Sequence, residues 1–215
     1  MRTRMAWLAV LCLALAAVPA WAQNWSYDNG PINGNLGQWY IDFGFIVSDT
    51  FVAGGPFVNG FSLGVETIFS TDIVTSLDWS ITSGENGGMT FGAGTASGAN
   101  LTDKYISSNQ FGFAISEVTV SGLNVPTTSG TTYWLNLQNA NTTSGDPVGW
   151  DENSGIGCMS NGCPSKASES AVGTIPSESF TINGTGGGTT PEPGSLVLFA
   201  SGIFGVAGVL RRKLF

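Results

Sequence analysis

Histidine is absent from all 215 residues. That absence removes Ser-His-Asp and Cys-His nucleophilic sites and every metal site that needs an imidazole. Carboxylate-pair chemistry survives the exclusion. Cysteine is scarce, at three. Cys12 falls in an apolar N-terminal run, which leaves Cys158 and Cys163. Basic residues are nearly missing from residues 23–190, where Lys104 and Lys166 stand against fourteen acids for a net charge of −12. A surface of that sign repels nucleic acid and anionic lipid. It favours solubility and attracts divalent cations, but the acids are scattered and outline no site. Helical periodicity is also lacking. Between Gln23 and Thr190 no 12-residue window sets apolar residues at i, i+3, i+4, i+7 among good helix formers.

What is present begins with two terminal signals. Residues 1–22 read as a secretory signal peptide, with Arg2 and Arg4 as the charged start and Trp7 to Val18 as the apolar core. Ala20-Trp21-Ala22 is the small-x-small cleavage site, so the mature chain is expected to begin at Gln23. Cys12 follows Val10-Leu11 rather than a lipobox of small residues, which excludes a lipoprotein.

The C-terminus, residues 191–215, has three parts. Pro191-Glu192-Pro193 comes first, then an apolar run 194–210, then Arg211-Arg212-Lys213. The run has no ionisable side chain over 17 positions. As a helix it spans about 25 Å, close to the roughly 30 Å of a bilayer core. A transmembrane segment over 194–210 is therefore expected, with the three bases on the cytoplasmic side. The set resembles the bacterial PEP-CTERM sorting signal, which combines a Pro-Glu-Pro motif, a short hydrophobic span and an Arg-rich end. The resemblance implies export, anchoring in the inner membrane, and recognition and cleavage by an exosortase, an integral-membrane cysteine protease. The product then resides at the cell surface or outside the cell. Hosts of this system usually make exopolysaccharide. On this reading Pro191, Glu192 and Pro193 are substrate residues.

Between the signals, residues 23–182 are expected to form one all-β extracellular domain, a β-sandwich or jelly roll, with 183–190 as a Gly/Thr linker. Trp39, Ile41, Phe43, Phe45 and Val47 share one parity and predict a strand with these side chains on one face. Ile73, Leu77, Trp79 and Ile81 predict a second. Tyr133, Leu135 and Leu137 predict a third, opposite Trp134, Asn136 and Gln138. The polar stretch 97–103 reads as a loop.

Three groups of residues invite a functional reading. Cys158 and Cys163, in a Gly/Asn-rich loop of an exported chain, read as a local disulfide that shapes its own loop. Two thiolates alone leave a metal site incomplete. The loop 144–153 sets Trp150 beside Asp146, Asp151, Glu152 and Asn153. Three readings are open there: Trp150 caps the core while the acids face water, the ring and oxygens hold a sugar, or the oxygens coordinate Ca2+. The loop matches no EF-hand spacing. Asp42, Asp78 and Glu117, each within a strand run, are the carboxylates a glycosidase would need on an open face.

No catalytic residue is assigned, and no cofactor beyond that possible Ca2+. The expected function is a non-catalytic extracellular matrix protein associated with exopolysaccharide, its partners an exosortase and extracellular polysaccharide, with nucleic acid excluded. The competing class is a carbohydrate-active enzyme. A concave face with paired acids would favour the enzyme. A flat polar face with an aromatic loop at one end would favour the binding module.

Overall fold

The computed structural model describes residues 24–153 and 167–186. The expected signal peptide, the expected Cys158–Cys163 disulfide, and the PEP tail with its expected transmembrane run lie outside the described residues. Among the described residues no helix is long and apolar enough to cross a membrane.

Among the described residues fourteen strands form two sheets. The first sheet is built on β4 (Phe57–Thr67). On one flank β4 pairs β14 (Phe180–Thr185), which pairs β1 (Asn24–Asp28). Further along the same flank it pairs β11 (Gly149–Asp151), which pairs β2 (Gln38–Tyr40). The other flank holds β9 (Val125–Pro126) and β8 (Ala114–Val120), and β8 pairs β7 (Leu101–Ser108). The second sheet runs β13 (Gly173–Ile175), β12 (Ala167–Glu169), β3 (Val47–Val52), β10 (Thr132–Thr142), β5 (Val74–Gly84), β6 (Gly87–Ser97). Every named strand pair is antiparallel.

Side chains from both sheets meet in one core. Phe61 of β4 and Trp79 of β5 lie edge to face, 6.4 Å between ring centroids. Tyr27 of β1 reaches Phe51 of β3 at 6.3 Å. Leu63, Val65, Val118 and Ile182 from one sheet, and Leu77, Ile81, Leu135 and Leu137 from the other, are fully excluded from solvent or nearly so. The period-two reading of β10 therefore holds, with Tyr133, Leu135 and Leu137 in the core and Trp134, Asn136 and Gln138 on the opposite face. The all-β, two-sheet expectation holds with it.

Four local expectations are corrected. The run from Trp39 to Val47 is not one strand. Pairing stops at Tyr40, Phe43 and Gly44 take φ angles of 50° and 84°, and Phe45 donates its N–H to the Asp42 carbonyl at 2.9 Å. Two consecutive positive φ angles reverse the chain. Ile41 and Val47 stay buried, while Phe43 and Phe45 leave the sheet. In β5 the register with β10 shifts near Asn141, and Val74 is buried where Ile73 was expected, leaving Ile73 exposed. Residues 101–103 of the expected loop open β7, an edge strand with polar residues on both faces. Finally, β14 runs to Thr185, so three residues read as linker pair with β1.

Candidate functional site

The loop holding Trp150 forms a strand rather than an open rim. Trp150 pairs with Val65 on one side and Trp39 on the other, which points its ring into the core. It is 0% exposed. Its indole N–H donates to the Ser179 carbonyl at 2.9 Å and its ring meets Phe180 edge to face at 5.5 Å. A sugar needs an open ring face, and Trp150 has none. Of its three readings, core capping describes the observed ring.

The acids beside it are occupied too. Asp151 is fully buried and accepts the backbone N–H groups of Asn33 (2.9 Å) and Gly34 (3.1 Å) together with the Ser179 hydroxyl (3.2 Å). These bonds hold residues 33–34 against the outer side of the first sheet. Glu152 accepts the Trp39 indole N–H at 2.8 Å. Asn153 is buried and donates to the Asn29 carbonyl at 2.9 Å. Asp146 separates from this group and faces a cavity described below. Among the described residues no group of three or more acidic or thiol side chains is placed to hold a metal ion.

Burial dominates the electrostatics here. Glu178 is wholly buried, neither of its carboxylate oxygens has a hydrogen-bond partner, and Asp49, Glu152 and Asp151 add repulsion. Its pKa is pushed well above the usual carboxylate range. Glu66, 2% exposed, is pushed up to about 7 by burial first and by the Asp151 charge second. Burial likewise raises Asp151. Both carboxyls are raised, and a raised carboxyl pKa suits acid–base chemistry. Yet both carboxyls are under cover, so this pair does not face a substrate cleft. Of the strand carboxylates, Asp42 precedes the 43–44 turn and Asp78 is on β5, while Glu117 is on β8 of the opposite sheet, across from Lys104.

The accessible chemistry lies elsewhere. Phe43 is 70% exposed, and Tyr40, 41% exposed, meets it edge to face at 6.3 Å. Left-handed backbone is uncommon for a bulky residue and costs roughly 1–2 kcal/mol. The structure holds it because Ile41 anchors the turn, donating to the Val148 carbonyl at 3.0 Å and accepting from the Ala140 N–H at 2.9 Å. Strain of this kind is a pointer to function.

Beside Phe43 opens a polar cavity of about 400 Å3, lined by Asp42, Phe43, Gly44, Asn139, Ala140, Asn141, Thr142, Gly145 and Asp146. Asp42 is 7% exposed. Its Oδ2 accepts the Val148 N–H at 3.0 Å, while Oδ1 is buried with no hydrogen-bond partner. Burial pushes its pKa up, against the opposing pull of the Val148 N–H and of its own backbone N–H. Asn139 has a φ of 51° at the irregularity in β10 and donates to Asp78 Oδ2 at 2.8 Å.

Asp78 in turn lines a second cavity, of about 390 Å3, over the outer face of the second sheet. There Asp78 also accepts the Thr95 hydroxyl. Asn136 donates to Thr82 Oγ1 at 2.8 Å and accepts the Ser48 hydroxyl at 2.6 Å. The β5–β6 turn folds toward this face, its Asn86 N–H donating to Ser48 Oγ at 2.9 Å. A third cavity of about 290 Å3 is lined by Trp39, Tyr40, Phe45, Glu169, Ala171 and Val172. Together these form an aromatic turn at one end of a hydroxyl- and amide-rich sheet face. The sequence signal was Gly44 after Asp42-Phe43, a turn composition inside an alternating run.

The described domain is thus an all-β, two-sheet protein. Residues 189–213 carry a PEP-CTERM protein-sorting motif. The match spans Pro191-Glu192-Pro193, the apolar run and the three bases, and is confined to the tail. It is the mark of an exosortase substrate destined for export to the cell surface or beyond. No curated protein matches the chain.

Proposed function

We propose that this is an exported, exosortase-processed surface protein whose β-sandwich domain associates non-catalytically with extracellular polysaccharide. Residues 1–22 act as the signal peptide, 194–210 anchor the precursor in the membrane, and residues from Gly186 to the Pro-Glu-Pro motif act as the spacer. The observation that carries the reading is the exposed Phe43–Tyr40 pair at the end of the polar face. Aromatic faces pack on the C–H side of a pyranose, and Asp, Asn, Ser and Thr side chains supply donors and acceptors for its hydroxyls. The covered state of Glu66 and Asp151 favours binding over hydrolysis.

The test is retention of the producing organism's own polysaccharide by the full chain in detergent. Phe43→Ala and Tyr40→Ala should each lower retention several-fold, with polymer length unchanged. Retention unaffected by both substitutions sinks the site. Shortened polymer sinks the non-catalytic reading.

A further inference from the structure

Among the described residues, six strands leave one edge without a partner strand: β1, β2, β7 and β9 in the first sheet, β6 and β13 in the second. An unpaired edge is a template for a further strand, and folded proteins guard it with shortness, charge, proline or a bulge. Five of these six edges are guarded. β2 and β13 have three residues each, and β9 has two, one of them Pro126. β1 has five residues and ends on Asp28. β7 is longer, but it carries Asp103 and Lys104 and its register slips between Tyr105 and Ser107.

β6 is the exception. At 11 residues it is the longest of the six, and it holds no charged side chain and no proline. Its irregularities lie toward the hairpin, beyond Ile81. From Gly92 to Ser97 it pairs with Ile81 to Ser76 residue for residue. Among the described residues no backbone hydrogen bond from a loop reaches the far edge of this stretch. Ala93, Gly94, Thr95 and Ser97 are exposed. The outward N–H and C=O groups of a regular six-residue stretch therefore face water.

Charge and symmetry narrow the partner. The exported region carries −12, so two copies repel each other over most of their surface. Along β6 the nearest acids in sequence are Glu85 and Asp103, beyond both ends of the strand. Asp78 stands one strand in from the edge, with its two oxygens engaged by Thr95 and Asn139. Charges farther off than roughly 8 Å are largely screened at physiological salt. A basic partner strand would find no acid on this edge to meet. A second copy offers the same neutral, regular stretch, and antiparallel pairing about a two-fold axis satisfies both edges at once and closes the assembly.

We propose that β6 is a self-association edge, on which two copies pair Gly92–Ser97 antiparallel across a two-fold axis and join their second sheets into one continuous sheet. The contact is narrow, so the dimer is a reversible one. It carries two Phe43 turns and is bivalent for whatever they bind. The proposal goes beyond the polysaccharide reading and does not depend on it.

The experiment is sedimentation equilibrium of the full chain in density-matched detergent, with amide hydrogen exchange at several protein concentrations. Ala93→Lys/Ser97→Lys sets like charges against each other across the axis, at two exposed positions. Thr102→Lys/Ser107→Lys adds the same net charge to the guarded edge of β7. A reversible monomer–dimer equilibrium is expected, with a dissociation constant raised about ten-fold or more by the β6 pair and unchanged by the β7 pair. Exchange at residues 92–97 should slow as protein concentration rises, a readout on the unmutated chain that stands even if a variant misfolds. A chain that stays monomeric overturns the proposal. So does a dimer that tolerates the β6 lysines, which assigns association to another surface, or one that the β7 lysines weaken equally. Exchange at 92–97 that is independent of concentration overturns it as well.

Discussion

Trp150 donates its indole N–H to the carbonyl oxygen of Ser179 at 2.9 Å, from a ring with no exposed surface. This bond ties β11 to the segment that leads into β14, beside Phe180. Trp150→Ala should therefore act on folding. Truncating a buried aromatic costs about 3–5 kcal/mol. Trp150→Phe keeps much of the packing and loses the hydrogen bond, at about 1 kcal/mol plus a void. Urea unfolding should show this order. Polysaccharide retention per folded molecule should be unchanged in Trp150→Phe, and a selective loss of retention would return Trp150 to the binding site.

Phe43 predicts the opposite pattern. Its left-handed backbone suits glycine. Phe43→Gly relieves roughly 1–2 kcal/mol of steric cost, partly offset by the greater chain entropy of glycine. The net expectation is a gain of up to about 1 kcal/mol, a rise of roughly 2–4 °C in melting temperature for a domain of this size. Retention should fall several-fold in the same variant. A variant that is more stable and binds less separates a functional aromatic from a structural one. Destabilisation by Phe43→Gly would contradict the strain argument.

The contrast shows what the sequence can and cannot reveal. Tyr133, Leu135 and Leu137 were legible because a half-buried strand enforces a period of two. Phe43 and Phe45 fit the same period and were misplaced, because the positive φ angles at Phe43 and Gly44 override alternation and no side-chain pattern reports backbone hand. Ile73 was misplaced for a related reason: a bulge shifts parity by one residue and exchanges it with Val74. For Trp150 the sequence offers core capping as one of three readings and does not choose among them. Its burial comes from β11 lying between β2 and β4, a non-local pairing that composition does not encode. Of that loop's predicted residues, Asp146 lines the open cavity beside Phe43.

Asn136 is the hub of the polar face, 3% exposed, bonded to Thr82 and Ser48. Asn136→Ala removes one hydrogen bond from each of Ser48 and Thr82, which keep Asn86 and the Gly84 carbonyl as partners. A loss of roughly 1–3 kcal/mol is expected from the two bonds together. The double variant with Ser48→Ala should cost less than the sum of the single changes, because the two share one bond. Strict additivity in urea unfolding would show that the network contributes no coupling.

The acids set the pH dependence. Burial raises Asp42, Glu66, Asp103, Asp151 and Glu178, with Glu66 at about 7. A carboxyl whose folded pKa exceeds its unfolded value binds protons more tightly in the folded state. Its contribution is complete below the unfolded value, about 4 for these groups, and is lost as pH rises through the folded value. For Glu66 the loss falls between about 4.5 and 7, and Glu178, raised well above the usual carboxylate range by burial, adds a loss of the same sign. The domain should accordingly melt at a higher temperature at pH 5 than at pH 8. Glu178→Gln, neutral at every pH, should flatten this slope and raise stability at pH 8, because no charge is then forced into a site with no donor for either oxygen. Glu66→Gln should flatten the part near neutrality. Asp49, beside Glu178, argues for the same sign: its Oδ2 accepts the Asn29 amide at 3.2 Å, the Ser177 hydroxyl at 2.9 Å and the Glu178 N–H at 2.8 Å. That charge is held in place by donors, so the proton near it belongs on Glu178. A melting temperature equal at the two pH values, or higher at pH 8, would show that the buried carboxyls have access to water or cations in solution.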